Sequence, residues 1–177
     1  MDAEWGPAQR LSDVFAHPWN MTLGAIQDNS LVREISKRMA EQNKALGVHF
    51  NFSPSVDVNN NSKNPIIGNR SFGEDPINVY NKAKAYIQGH KDVGVYTSIK
   101  HFPGHGDTDK DSHKTLPIIN GNMNRLNNVE LFPFKKLIDD GLAESVMLAH
   151  LSVPAIDKNY PSSCLLYTSP SPRDLMR

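Results

Sequence analysis

Chemically reactive side chains are concentrated in one stretch of this sequence, Lys100–His113, which reads KHFPGHGDTDKDSH. Histidine, lysine and aspartate are residue types that transfer protons, bind polar ligands or hold metal ions. Pro103, Gly104 and Gly106 disfavour a regular helix or strand beyond Phe102. We therefore expect these polar groups to lie on an irregular loop, where catalytic side chains are often found.

Three kinds of chemistry are open to this stretch on residue types alone. Metal ligation is one, although no HExxH helix is present and the spacing matches no metal motif. General acid/base catalysis by the pair Asp111 and His113 is the second, with the carboxylate orienting the imidazole. A structural role, in which each histidine only bonds to nearby backbone, is the third. The residues of metal-ligand type are His101, His105, Asp107, Asp109, Asp111 and His113.

The composition is that of an ordinary soluble globular protein of about one domain, with 177 residues of which 38% are hydrophobic and 21% charged. Lysine plus arginine and aspartate plus glutamate number 19 each, so the basic excess of a nucleic-acid-binding protein is missing. No apolar run reaches the roughly 18 residues that a membrane segment needs. The single cysteine, Cys164, cannot form an internal disulfide. We therefore expect no nucleic-acid partner and no membrane segment.

Apolar runs alternate with amphipathic segments along the chain, which predicts parallel βα units of an α/β fold. The predicted strands are Val48–Phe52, Val95–Ile99 and Ser145–Leu151. The predicted helices are Asp28–Leu46, one from Pro76 that ends between Gly89 and Gly94, and Leu126–Gly141, kinked or restarted at Pro133. Because ligands bind beyond the carboxyl ends of parallel strands, we expect His49–Arg70, Lys100–His113 and His150–Asp157 to converge.

Three motifs together resemble one enzyme family. They are KHFPGHGDTDKDSH, GNRSFGEDP and MLAHLSVPAID. From Asp2 to Ser163 the sequence resembles glycoside hydrolase family 3, in its bacterial β-N-acetylglucosaminidase branch. The resemblance implies a (β/α)8 TIM-type barrel and retaining cleavage of β-linked sugars through a covalent glycosyl-enzyme, without a cofactor. It also implies a carbohydrate partner, a β-N-acetylglucosaminide such as one from cell walls, and a cytoplasmic or periplasmic compartment.

The resemblance assigns roles to individual residues. Asp111 and His113 match the acid/base dyad of the family, with His113 protonating the departing oxygen. His105 is expected to shape the turn between its neighbouring glycines and not to contact the sugar. The positions that match sugar-binding residues are Lys100, His101, Arg70, Asp2 and Arg10.

Two departures from the family pattern bear on the prediction. Where many members have EGG followed by arginine, this chain has Glu4-Trp5-Gly6-Pro7. No residue matches the aspartate nucleophile that the family places on a later strand. A complete barrel takes about 250 residues, so we expect residues 1–161 to form three to four βα units of an incomplete barrel. The abrupt change of composition that follows predicts a non-native tail over 162–177.

The leading hypothesis is therefore a fragment of a retaining enzyme, with the sugar-binding residues and the dyad but without the nucleophile. Other interpretations stay open: a family 3 β-glycosidase of the β-glucosidase type, a metal-dependent hydrolase, or a non-catalytic sugar-binding remnant. The DSH element favours the N-acetylglucosaminidase branch, since relatives commonly place the acid/base carboxylate elsewhere.

Overall fold

The computed structural model describes residues 1–111 and 113–164, so Ser112 and most of the predicted tail lie outside the described residues. The helices are α1 (Asn20–Ala25), α2 (Asn29–Ala45), α3 (Pro76–Val93), α4 (Met123–Asn128) and α5 (Phe132–Asp139). The strands are β1 (Phe50–Asn51), β2 (Tyr96–Thr97), β3 (Ile99–Phe102) and β4 (Val146–Leu148). Short 3-10 turns occur at Pro7–Gln9, Gly68–Arg70 and Ser162–Cys164.

The two long helices follow the prediction because their ends carry strong capping signals. The side chain of Asp28 accepts a hydrogen bond from a backbone N–H in the first turn of α2, and Asp75 does the same for α3. Helix α3 ends at Gly94, whose φ of 77° is the left-handed conformation that glycine adopts at little cost. These signals are local, and they therefore fix the bounds of both helices from the sequence.

Gly89 lets α2 and α3 pack closely against each other. It lies inside α3, and a Cβ atom there would come within 2.4 Å of the Arg33 carbonyl oxygen of α2. The Arg33 guanidinium also donates to both carboxylate oxygens of Asp92, at 2.8 and 2.7 Å. The helix continues past Gly89 because tertiary contact with α2 compensates for the weak helix propensity of glycine.

The strands are parallel, as the alternation of elements predicts. Strand β1 pairs with β2, and β3 pairs with β4, each in parallel register. A parallel bridge between Ser55 and Lys100 links the two pairs. All these strands consequently direct their carboxyl ends toward the same side, where the loops that follow them meet.

The strand predicted over Val95–Ile99 is divided because the chain changes partner at Ser98. The Ser98 backbone N–H donates to the Asn51 carbonyl of β1 at 3.2 Å, whereas the next backbone N–H donates to a carbonyl just before β4 at 3.0 Å. Lys100 and His101 therefore lie within β3. The strand predicted to end at Ile99 is thus followed by a second one, and both residues belong to this second strand.

The helical segment predicted over Leu126–Gly141 is divided near Pro133, which is one of the two arrangements that the sequence predicts. The structure has α4 and α5, with the Asn122 side chain capping the first and Pro133 in the first turn of the second. Proline lacks a backbone N–H, so it is tolerated at the start of a helix and not inside one. Pro133 thus restarts the helix. Helix α1 has no predicted counterpart, because six residues are too few for a clear period.

The main apolar core lies between the strands and helices α2, α3 and α5. Its buried members include Met39, Val56, Phe72, Tyr86, Ile99 and Phe134. A smaller buried cluster, beside the loops that follow β3 and β4, contains Ile119, Leu126, Ala149, Leu151 and Val153. Among the described helices, none is long and apolar enough to cross a membrane. The two clusters hold the loops at the carboxyl ends of the strands against the helices.

Candidate active site

A cavity of about 500 Å³ opens at the carboxyl ends of the strands. Its walls come from the segments predicted to converge, from the start of the chain and from the end of β4 with the residue that follows it. Asp111 does not line the cavity. Its carboxylate contacts His113, and His113 does line it. The predicted site residues that line the cavity are Asp2, Arg10, Arg70, Lys100, His101 and His113.

Lys100 is the buried centre of a charged cluster. It is 1% exposed, and its Nζ lies 2.9 Å from Asp2 Oδ1 and 2.8 Å from Glu4 Oε1. Glu4 is fully buried and also accepts from Arg70, through Nη2 at 2.8 Å and Nε at 3.1 Å. Each buried charge therefore has opposite charges and hydrogen bonds around it, which offsets the cost of removing it from water.

The carboxyl groups of this cluster remain ionised at neutral pH. Burial raises the pKa of Glu4, but the hydrogen bonds from Arg70 and the charge of Lys100 outweigh it and hold that pKa below its ordinary value. Burial also raises the pKa of Asp2. The hydrogen bonds and charges of Lys100 and Arg10 lower it by more, so the pKa of Asp2 lies below its ordinary value. Arg10 contacts Asp2 Oδ2 at 2.9 Å on the exposed rim. The cavity thus presents a fixed pattern of charges.

Lys100 and the partly buried Arg70 both keep hydrogen-bond donors for a ligand. An ammonium has three N–H donors and a guanidinium has five. Lys100 directs two of its donors at carboxylates. Arg70 directs four of its donors at Glu4, His101 and a backbone carbonyl. Within the described part of the chain, each cation therefore has one N–H to spare at the cavity wall.

The ring of His101 is held in one tautomer by its two neighbours. Its Nδ1 lies 2.6 Å from Asp57 Oδ2, and its Nε2 lies 3.1 Å from Arg70 Nη2. A guanidinium can only donate and an ionised carboxylate can only accept. The neutral ring with its proton on Nδ1 satisfies both contacts, so His101 is oriented by Asp57 on one side and Arg70 on the other.

Asp57 is a buried organising residue of the site. It is 0% exposed, and its carboxylate accepts from the backbone N–H groups of His101 (3.2 Å) and His105 (2.6 Å) and from the Ser55 hydroxyl (2.8 Å). Burial raises the pKa of Asp57, but its interaction with His101 and these hydrogen bonds together hold it far below the ordinary range. Asp57 is therefore a permanent anion beneath the cavity.

His105 is almost completely buried in the cavity wall. Its Nδ1 lies 2.6 Å from the Thr108 hydroxyl, which stabilises the turn. Burial lowers the pKa of its imidazole. Among the described residues, Nε2 of His105 has no hydrogen-bond partner. The ring thus both shapes the turn and lines the cavity, and its predicted lack of sugar contact stays a prediction.

Asp111 and His113 form a hydrogen-bonded pair on the exposed loop. Asp111 Oδ1 lies 2.9 Å from His113 Nδ1 and accepts from the His113 backbone N–H at 2.8 Å. The His113 side chain is 83% exposed. The backbone N–H of His113 is the main cause that lowers the pKa of Asp111, followed by the His113 side chain. With Nδ1 bound to the carboxylate, Nε2 is the ring nitrogen free to exchange a proton with a ligand.

Sequence reasoning missed Glu4 and Asp57. The glycine and proline near Glu4 predict a loop at the start of the chain. Nothing in the local sequence indicates that the Glu4 side chain is buried. For Asp57 a weak signal exists, since it alternates with Val56 and Val58, which are both buried. No group of three or more His, Cys, Asp or Glu side chains within residues 1–111 and 113–164 is arranged to hold a metal ion.

Comparison with known proteins gives consistent likenesses. The model of the glycosyl hydrolase family 3 N-terminal domain matches residues 1–168. The β-hexosaminidase of Nitrosomonas eutropha is 37% identical over 166 residues, 90% of this chain and 47% of that protein. β-Hexosaminidase A of Pseudoalteromonas piscicida is 35% identical over 164 residues, 90% of this chain and 27% of that protein.

A solved structure of similar sequence shows that the fold is shared as well. The family 3 β-N-acetylglucosaminidase from Paenibacillus sp. str. FPU-7 superimposes with a TM-score of 0.85 at 41% identity, over 90% of this chain and 31% of that one. The chain therefore spans less than half the length of these relatives. The predicted resemblance and the predicted incomplete (β/α)8 barrel are both confirmed. By its match over residues 1–168, this chain belongs to glycosyl hydrolase family 3.

Proposed function

We propose that this chain forms the sugar-binding and proton-transfer part of a glycoside hydrolase that removes terminal β-linked N-acetylglucosamine. The observation that carries the proposal is the cavity wall built from Asp2, Arg70, Lys100 and His101 around the buried Glu4. Relatives that are named β-hexosaminidase or β-N-acetylglucosaminidase support the choice of sugar.

The wall suits a neutral ligand that is rich in hydroxyl groups. The spare N–H of Lys100 and that of Arg70 can donate to ring hydroxyls, and Asp2, which is partly exposed, can accept from one. Charged groups that are already paired keep their positions when a ligand arrives, so little ordering is needed on binding. A few directed donors and acceptors of this kind fix the orientation of a small ligand in a pocket.

Proton transfer is assigned to the pair Asp111 and His113. In the proposed step, protonated His113 gives the proton on Nε2 to the glycosidic oxygen while the bond from that oxygen to the anomeric carbon breaks. The bonding electrons stay with the departing oxygen, which leaves as a hydroxyl. Asp111 holds Nδ1 at 2.9 Å and stabilises the imidazolium before the transfer.

The nucleophile that retaining cleavage requires is proposed to come from outside this chain's cavity wall. A retaining glycosidase needs a second carboxylate close to the anomeric carbon. The carboxylates that line the cavity, Asp2 and Glu4, are both bound to Lys100. Attack on carbon by either one would remove one of the two counter-charges of the buried ammonium, which disfavours both as nucleophiles.

A binding experiment tests the proposal directly. N-acetylglucosamine and glucose are titrated into the chain by calorimetry, and an aryl β-N-acetylglucosaminide is offered as substrate. We expect the acetylated sugar to bind more tightly than glucose, with negligible release of the aryl group. Arg70→Lys should weaken binding by about tenfold or more, because one ammonium cannot reproduce the fork of donors.

Arg38→Lys is the matched control. Arg38 pairs with Glu34 on the exposed face of α2, and its substitution should leave sugar binding unchanged. Failure of the folded chain to bind N-acetylglucosamine would contradict the proposed sugar site. Sustained turnover of the aryl substrate would contradict the proposed absence of the nucleophile.

A further inference from the structure

The loop that carries the proposed proton-transfer pair has a fixed beginning. The side-chain amide of Asn64 donates to the backbone carbonyls of His105 at 2.7 Å and Gly106 at 3.2 Å, which holds the turn before the loop. Thr108 is fully buried, and the chain becomes exposed at the next residue. Asp107, beside this boundary, is therefore the last charged side chain of the fixed segment.

The loop also has a fixed end, which leads into helix α4. The backbone N–H of Ser152 donates to the Pro117 carbonyl at 2.9 Å, and the backbone N–H of Ile119 donates to the Ser152 carbonyl at 2.9 Å. These bonds form a parallel bridge to the segment that follows β4. The chain is thus anchored on both sides of the loop, and α4 lies just beyond the second anchor.

Arg125, on α4, reaches back across the base of the loop. Its Nη2 lies 2.9 Å from Asp107 Oδ2, so an ion pair joins the residue before the loop to the helix after it. Such a contact closes the loop at its base, and closing a loop removes many of the arrangements that the chain can adopt. The backbone carbonyl of Asp107 also accepts from Asn61 at 3.1 Å. Asn61 therefore holds the backbone at this point, and Arg125 holds the side chain.

Glu130 keeps the guanidinium in the position that this contact requires. Glu130 is 2% exposed, and its Oε1 lies 3.2 Å from both Nε and Nη2 of Arg125. Its Oε2 is buried and has no hydrogen-bond partner among the described residues, so the carboxylate depends on this cation. Gly104 leaves room for Glu130, because a Cβ at Gly104 would come within 2.9 Å of the Glu130 Cβ. Arg125 is therefore a directed cation, although its side chain is 42% exposed.

We propose that Arg125 is a positioning residue for proton transfer, which acts through Asp107 and holds His113 at the glycosidic oxygen. The inference rests on the proposed function and adds to it the contact that fixes the loop. Within the described part of the chain, the His113 side chain is bonded only to Asp111, which belongs to the same loop. The pair can keep its own geometry while the loop moves away from the sugar. The ion pair at the base of the loop opposes that movement.

Asp107→Ala tests the proposal most sharply, because it removes the contact with the loop and leaves Glu130 paired with Arg125. The probe is methyl β-N-acetylglucosaminide, whose glycosidic oxygen is the atom that His113 is proposed to protonate. In the wild-type chain, saturation with this sugar should shift the proton NMR signals of the His113 ring. In Asp107→Ala that shift should fall to about half or less, since the loop is averaged over more positions. The dissociation constant should stay within about twofold, because Asp107 does not line the cavity.

The control and the companion variants separate positioning from a general loss of structure. Asp109→Ala removes an exposed carboxylate from the same loop and should leave the response of His113 unchanged. Arg125→Gln should reproduce the loss, and Arg125→Lys, which keeps the charge but not the fork of donors, should restore part of it. Because Arg125 and Asp107 act through one contact, the double variant Asp107→Ala/Arg125→Gln should lose no more of the shift than Arg125→Gln alone.

The outcomes distinguish this inference from the function on which it rests. A loss of the response that Asp109→Ala does not share, and that Arg125→Lys partly restores, supports the positioning role. An unchanged response in the folded Asp107→Ala variant overturns that role and leaves the proposed function standing. If the sugar binds to the wild-type chain without shifting the His113 signals, the proton-transfer assignment and the positioning role are both overturned. If the folded wild-type chain does not bind the sugar, the sugar site is overturned, and the positioning role with it.

Discussion

Acidification should loosen the start of the chain through one fully buried residue, His90. Its Nε2 lies 3.0 Å from the amide nitrogen of Asn51, and its Nδ1 lies 2.7 Å from the Ser36 hydroxyl. The same Asn51 amide holds Ala3 on both sides, accepting from its N–H at 3.0 Å and donating to its carbonyl at 3.1 Å. A proton on Nε2 would face the amide N–H, so Asn51 would have to turn and release Ala3.

The magnitude follows from the pKa of His90, which burial lowers from 6.5 to about 4. The unfolded chain takes up a proton as the pH falls through 6.5, whereas the folded chain resists it until about 4. The stability contribution is therefore complete above that window and is lost as the pH falls through it. At about 1.4 kcal/mol per pKa unit the full loss is about 3 kcal/mol, and about 2 kcal/mol of it is reached near pH 5.

Urea unfolding at about pH 7 and about pH 5 measures the effect, with His90→Gln as the test variant. The variant cannot titrate, so its free energy of unfolding should fall between these pH values by about 2 kcal/mol less than that of the wild type. His49→Gln, at an exposed position, should behave like the wild type. Equal pH dependence in the wild type and His90→Gln would falsify the reasoning.

Two further predictions concern the carboxylates that sequence reasoning missed. Glu4→Gln leaves the buried Lys100 and the partly buried Arg70 short of a counter-charge, so the free energy of unfolding at neutral pH should fall by about 3 kcal/mol or more, as measured by urea unfolding. Asp57→Asn keeps the shape of the side chain but weakens the preference of His101 for a proton on Nδ1. Because Arg70 still donates to Nε2, nitrogen NMR of the ring should show the same tautomer with a weaker hydrogen bond at Nδ1, and binding of N-acetylglucosamine should weaken by about tenfold.

Each of these substitutions has a surface counterpart as its control. Glu34→Gln removes an exposed carboxylate that pairs with Arg38, and Asp92→Asn removes one that pairs with Arg33. Exposed pairs contribute at most about 1 kcal/mol. A loss from Glu4→Gln as small as that from Glu34→Gln would show that Lys100 and Arg70 do not depend on Glu4. An unchanged hydrogen bond at Nδ1 and unchanged sugar binding in Asp57→Asn would show that other contacts orient the ring.

The fold was predictable where its signals are local. Asp28 and Asp75 cap α2 and α3, and short apolar runs indicate the strands, so the parallel arrangement follows from the sequence. Pro133 marks the start of α5, yet the same residue could also have kinked a single helix. Only packing decides between these, because the apolar residues on both sides of Pro133 fit either arrangement.

The candidate site was predictable in its cations and imidazoles and not in its buried anions. Arg70, Lys100 and His101 lie at the positions where parallel strands bring their loops together, and the family motifs cover them. Glu4 and Asp57 become buried only because partners 66 and 44 residues away in the chain face them. A charged side chain becomes buried only when its partner packs against it in the folded protein. The sequence around one of the two residues therefore does not indicate that the residue is buried.

The bonds that Asp57 accepts also have a dynamic consequence. One carboxylate joins the segment after β1 to the backbone of His101 and His105 in the segment after β3. Neither segment can open alone without leaving a bare anion among apolar side chains, and that cost favours opening of both at once. The floor of the cavity therefore behaves as a single cooperative unit, in which the ring of His101 and the turn that contains His105 are exposed together or not at all.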